Sequence, residues 1–159
     1  MKNAIRKPVK HWPLSLSVQR AVRAPGAPLR REIERVVRAA QERPAEITLR
    51  LVGEAEGLRL NAQFRHQTHA TNVLSFPYSD APLVCGDLVL CVPVVVREAQ
   101  EQGKTLLAHY VHLIVHGVLH LHGYDHENDV DAERMEAREV QIVTGLGFAN
   151  PYWVVGSAG

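Results

Sequence analysis

The stretch from Thr105 to Leu121 leaves the chain little choice of fold. It holds no proline and a single glycine, Gly117, and it is apolar on most sides. That pattern predicts a helix buried within the protein rather than laid on its surface. His112, His116 and His120 break the apolar run at intervals of four, and a helix gathers such residues into one stripe. Gly123 can take the left-handed conformation that ends a helix. His126 follows it, so the chain can turn back and bring a third imidazole to the first two. Six of the nine histidines lie between His109 and His126.

Two imidazoles one turn apart reach a single ion. Zinc binds such nitrogens at about 2.0–2.1 Å and prefers a tetrahedron, which two helical ligands cannot complete. Residues 116–126, HGVLHLHGYDH, read as H-x-x-x-H-x-x-G-x-x-H and supply the third ligand. The expected site is therefore one Zn2+ per chain on His116, His120 and His126, within a helix-turn segment spanning 105–126. Nickel or another borderline ion suits the same ligands. Three neutral imidazoles leave a fourth position open, the mark of a catalytic site, where water is acidified toward pKa ~7. They also leave the ion its double charge for polarising a phosphoryl or carbonyl oxygen. Asp125 and Glu127 flank His126, either to orient ligand rings or simply as solvated carboxylates. His112 is either a polar contact of the site or a satisfied buried histidine. His109 has no assigned role, and His122 reads as structural.

The same spacing with Glu after the first histidine, HExxHxxGxxH, belongs to the metzincin peptidases, where that Glu is the general base. Here the position is Gly117, which cannot move a proton, and Met135 falls inside a predicted helix rather than a methionine turn. Peptidase chemistry is disfavoured. A glycine inside a helix costs about 1 kcal/mol relative to alanine. The expectation is that its missing side chain opens room beside the metal.

Elsewhere the pattern predicts strands at Leu14–Val18, Glu46–Val52, Asn72–Pro77 (ending at the proline) and Gly86–Val92. Helices are predicted from Leu29 to about Ala40 with Pro28 in the first turn, over Glu54–Arg65, from Pro93 to Gln102, and from Asn128 or Asp129 to about Thr144. Four strands and about five helices, with no linker long enough to divide them, make one α/β or α+β domain. Cys85 and Cys91 read as small buried hydrophobes on one face of a strand, too far apart for a disulfide. No run is long and apolar enough for a secretory signal or a bilayer span, and the chain reads as cytoplasmic. Residues 1–50 hold 12 Lys/Arg against 4 Asp/Glu, so the arginines of residues 20–43 are candidates for contact with a polyanion.

Three blocks together, HGVLHLHGYDH at 116–126, LNAQFRHQTHATNVLSFP at 60–77 and GDLVL at 86–90, resemble the YbeY endoribonucleases, also described as rRNA maturation factors. The resemblance runs from about Leu14 to Tyr152. It implies a single α+β domain over residues 1–159 (core about 14–152), with a four-stranded mixed sheet. It also implies a zinc ion held by His116, His120 and His126, and a functionally important arginine at Arg65. A guanidinium offers a planar fork of donors that suits a phosphate and keeps its charge. His66-Gln67-Thr68-His69 departs from the family's short basic or glycine-containing turn, and His122 stands where an aliphatic residue is usual. The implied activity is zinc-dependent endonucleolytic cleavage of single-stranded RNA. It would serve rRNA maturation, including the 3′ end of small-subunit rRNA, and ribosome quality control. The implied partners are the ribosome or ribosomal proteins, with no membrane. The alternatives are a zinc peptidase, or a non-catalytic ribosome-assembly factor whose zinc ties the last two helices together.

Overall fold

Alternating apolar residues build the sheet, and its two unequal faces decide where everything else goes. A computed structural model describes residue 5 and residues 11–65, 71–79 and 82–153, without the side chains of Phe64, Arg65 and Ser79. The strands are β1 (Leu14–Arg20), β2 (Ala45–Val52), β3 (Val73–Ser79) and β4 (Val84–Cys91), in the spatial order β1-β2-β4-β3. β1, β2 and β4 run parallel, and β3 pairs antiparallel with β4 at the edge. Five helices join them: α1 (Arg30–Ala40), α2 (Glu54–Arg65), α3 (Val92–Gln102), α4 (Leu106–Leu121) and α5 (Asp129–Gly145). The architecture is α+β, a four-stranded mixed sheet with five helices, as the pattern and the resemblance led one to expect.

Ala45, Ile47, Leu49 and Leu51 bury one side of β2 in the main core, together with Leu88 and Leu90 of β4. α1 covers this face with Ile33, Val36, Val37 and Ala40, and α4 runs through the middle of the same core. A smaller cluster of Val52, Leu74, Val89, Cys91 and Val94, with Leu60 of α2, fills the opposite face. Among the described residues no helix is long and apolar enough to cross a membrane.

Several boundaries differ from the sequence expectation. β3 continues past Pro77 to Ser79, with a register shift between the two. It is the edge strand, so a missing N–H there costs no ladder bond on an outer side. Pro28 lies outside α1, which starts at Arg30. Leu29 caps it and donates its N–H to Glu32 Oε1 at 2.8 Å. Cys91 is buried as expected, but Cys85 is only half-buried, because it lies opposite exposed Glu46 beyond the smaller cluster.

Gly117 needs a larger correction. A Cβ there would stand 2.8 Å from Leu88 Cδ2, so the residue faces the sheet and not the histidine cluster. At Gly86 a Cβ would meet Leu121 Cδ2 at 2.6 Å and the Phe76 carbonyl at 2.8 Å. These two glycines let α4 lie directly on β4. Because the contact of 117 with 88 is followed by that of 121 with 86, the helix runs antiparallel to the strand.

Candidate metal centre

The C-terminal turns of α4 and the turn beyond it form the site. Thr105 caps the helix start by accepting the Ala108 N–H at 3.1 Å. At the other end Gly123, with φ of 98°, reverses the chain as its type allows. His126 thereby returns to His116 and His120. Ring centroids lie 4.7 Å apart for 116–120, 5.0 Å for 120–126 and 5.8 Å for 116–126.

One nitrogen from each of His116, His120 and His126 falls within 4.8 Å of the other two. A tetrahedral ion with bonds of about 2.0–2.1 Å brings such nitrogens to about 3.4 Å, so closing the trio on an ion takes at most ~1.4 Å between any two of them. His126 is exposed and has the freedom to supply that movement. The three residues can hold a metal ion. Burial, with the nearby His116 and His126 as further causes, pulls His120 down to about 4. Its imidazole is therefore neutral at physiological pH, the form that binds a metal.

These histidines stand at one end of an open cleft of about 820 Å³ between α4, the edge strand β3 and α2. Asn61, Ser75 and Pro77 line it beside them. Arg65 is the last residue of α2, one turn beyond Asn61, and its side chain lies outside the described residues. Positions 66–69, where the chain departs from the family's usual turn, also lie outside them.

A residue that the sequence reading missed completes the site. Glu139 of α5 is fully buried, and its Oε2 accepts hydrogen bonds from His112 Nε2 at 2.8 Å and His116 Nδ1 at 3.1 Å. Its Oε1 accepts from the Tyr152 hydroxyl at 2.5 Å. Burial alone would raise this carboxyl, but the three donors outweigh burial and hold it at about 2. Tyr152 is pushed well above the usual phenol range by burial and by the charge of Glu139. A signal was present: Met135, Glu139, Ile142 and Val143 form the buried stripe of α5, and one of them is a carboxylate. His112 takes the first of its two expected roles, a polar contact of the site made through Glu139. It is half-buried, and its Nδ1 has no hydrogen-bond partner among the described residues, so it is not the satisfied buried histidine of the other reading.

The remaining acids and histidines sort differently. Asp125 Oδ1 accepts the His126 backbone N–H at 2.7 Å, and the carboxylate bears on the rings as a charge that favours protonated His120. Glu127 is exposed. His122 is structural, as expected: its Nδ1 donates to the Val118 carbonyl at 2.8 Å and its Nε2 accepts the Glu42 N–H at 3.0 Å. Glu42, just after α1, also accepts from the Tyr124 hydroxyl and from Arg138 Nε, each at 3.0 Å. The turn carrying His126 is thus clamped between α1 and α5. His109 pairs with Glu98 of α3 at 2.9 Å, and Glu98 also accepts from Asn72 at 3.0 Å.

Three of the arginines between residues 20 and 43 are already engaged by the protein. Arg20 donates to the Pro28 carbonyl, Arg30 to that of Leu16 and Arg38 to that of Trp12. The same residues that make this segment basic brace β1 and α1, which narrows the expected polyanion surface to the other arginines, such as exposed Arg31.

Residues 18–147 match the family model for endoribonuclease YbeY. A protein of Verminephrobacter eiseniae named endoribonuclease YbeY is 53% identical over 145 residues, covering 88% of this chain and 94% of its own. Its namesake in Aromatoleum aromaticum is 54% identical, covering 87% and 92%. The one in Nitrosomonas europaea is 48% identical, covering 95% and 92%. A solution structure from Thermotoga maritima, 28% identical, superposes with a TM-score of 0.54 over 84% of this chain and 88% of that one. With a family model spanning most of its length and relatives at about half identity, the chain belongs to the endoribonuclease YbeY family.

Proposed function

We propose that this chain is a zinc-dependent endoribonuclease. It acts on single-stranded RNA in rRNA maturation, including the 3′ end of small-subunit rRNA, and in ribosome quality control. It works in the cytoplasm with the ribosome or ribosomal proteins as partners, and residues 1–159 form one domain with its core at about 14–152. The observation that carries this reading is the convergence of three imidazoles at the end of an open, polar cleft.

His116, His120 and His126 would hold the ion. When bound, it supplies Lewis acidity toward a phosphoryl oxygen and acidifies water for attack. The chain's own residues do the rest. The neutral state of His120 keeps its lone pair available. The cleft admits a flexible strand, while the close contact of Gly117 with Leu88 leaves no space for the carboxylate that a metzincin peptidase carries at that position. Arg65 is proposed to stabilise charge developing on the phosphoryl oxygens through its fork of donors. Support for this placement comes from Asn61, which stands one turn before Arg65 on α2 and lines the cleft.

The test is cleavage of labelled single-stranded RNA by the purified protein with and without chelator, beside Arg65→Ala. Cleavage should vanish with chelator and return with zinc. Arg65→Ala should keep its metal and fold but cleave roughly 10²–10³-fold more slowly, the scale of one lost charge-stabilising donor. Cleavage indifferent to chelator overturns the metal reading, and unchanged rates in Arg65→Ala remove that residue from it.

A further inference from the structure

We infer that Glu139 is a positioning residue for the ion, presetting His116 as a ligand before any metal arrives. The inference rests on reading His116, His120 and His126 as ligands, and it adds that the carboxylate behind His116 decides how well they bind.

A fully buried carboxylate is an expensive way to join two helices. Apolar side chains of similar volume often do so at no loss of stability. Met135, Ile142 and Val143 already bury the same stripe of α5, so packing alone does not call for a charge at this place. What the charge does follows from its bonds. A neutral imidazole carries one N–H, and the nitrogen that holds it is set by the hydrogen bond it makes. His116 Nδ1 lies 3.1 Å from Glu139 Oε2, so the proton sits on Nδ1 and the lone pair on Nε2, the atom left to face His120 and His126. The negative charge behind the ring also strengthens the ring as a donor to a cation.

His112 shows the reverse arrangement on the same oxygen. It gives Nε2–H to Glu139 at 2.8 Å, and its Nδ1 is buried with no hydrogen-bond partner among the described residues. It therefore supports Glu139 and cannot serve as a ligand. Tyr152 closes the carboxylate's other oxygen and packs edge-on against His112, with ring centroids 5.3 Å apart. Every lone pair in use on Glu139 thus aims it at His116 or holds it there.

The experiment titrates metal-free protein with zinc alone against a chromophoric chelator. It compares wild type, Glu139→Gln, and Glu98→Gln, the last being a carboxylate that meets His109, two turns of α4 before His116, and touches none of the three ligands. Glu139→Gln should bind zinc roughly 10–100-fold more weakly, and Glu98→Gln should bind it as wild type does. In parallel, long-range proton–nitrogen NMR spectra of metal-free wild type above pH 8 should show His116 protonated on Nδ1 alone. Equal zinc affinity in Glu139→Gln overturns the inference, as does an Nε2–H tautomer at His116, which can be read even if the variant fails to fold. Wild type that takes up no zinc overturns the proposed function instead, and the tautomer spectrum still judges the role of Glu139.

Discussion

Two carboxylates, the half-buried Glu98 and the fully buried Glu139, meet the histidines of α4, and they differ in what lies on the far side of the ring. At one end of the helix Glu98 bonds His109 and Asn72, and burial is again outweighed by its donors, which hold it below the usual carboxylate range. The other nitrogen of His109 ends in the core without a partner among the described residues. At the opposite end Glu139 bonds His116, whose other nitrogen opens onto the cleft. The pairs are alike in chemistry, yet one locks α3, α4 and the start of β3 together while the other backs a candidate ligand. A histidine on this helix gains chemical use from the space its second nitrogen faces, more than from having a carboxylate partner.

The largest effect should come from breaking the site end. His120→Ala should lose most of its zinc by elemental analysis and all measurable RNA cleavage, whereas His109→Ala should keep a full equivalent. His109→Ala should lose about 1–3 kcal/mol of stability instead, since Glu98 is left without its main donor. A full equivalent of zinc in His120→Ala, or its loss in His109→Ala, would dissolve the contrast between the two ends.

A smaller effect tests the seat on which both ends depend. Alanine is the better helix former by about 1 kcal/mol. Even so, Gly117→Ala should lower the urea midpoint by the equivalent of about 1–3 kcal/mol, the usual cost of overpacking, because its Cβ meets Leu88 at 2.8 Å. A variant as stable as wild type would mean that α4 does not need this close approach.

The effect that is smallest at neutral pH comes from proton linkage. His120 titrates near 4 in the folded chain against about 6.5 unfolded, so between these values the unfolded chain binds the extra proton. Stability of the metal-free protein must then rise with pH across that window, and the penalty is complete below about 4. Urea unfolding between pH 4 and 7 with chelator present should show a shallower pH dependence in His120→Gln than in wild type. Parallel curves would mean that His120 is not desolvated as the structure has it.

The helices, most of the strands and the histidine trio were legible because each is a local pattern: apolar periodicity, a four-residue spacing, a glycine after the last turn. Contacts between distant segments were not. Gly117 was expected to face the metal, since nothing in its neighbourhood names Leu88 of β4 as what it touches. Glu139 escaped notice because it lies 23 residues beyond His116, although a carboxylate within the apolar stripe of α5 was the available hint. β3 outran Pro77 because edge position is a property of the assembled sheet. Arg65 rests on the resemblance to the family, for a lone arginine carries no pattern of its own.

The clamp on the turn bearing His126 has a consequence for biosynthesis. Glu42 grips that turn and α5 through bonds to residues 80, 82 and 96 positions away, and Tyr152 holds Glu139 from beyond α5. A chain emerging from the ribosome presents all three imidazoles well before Glu139 and Tyr152 exist outside the exit tunnel. His116 therefore gains its buried carboxylate partner only after these later residues have emerged, and a shorter nascent chain carries the motif without the site.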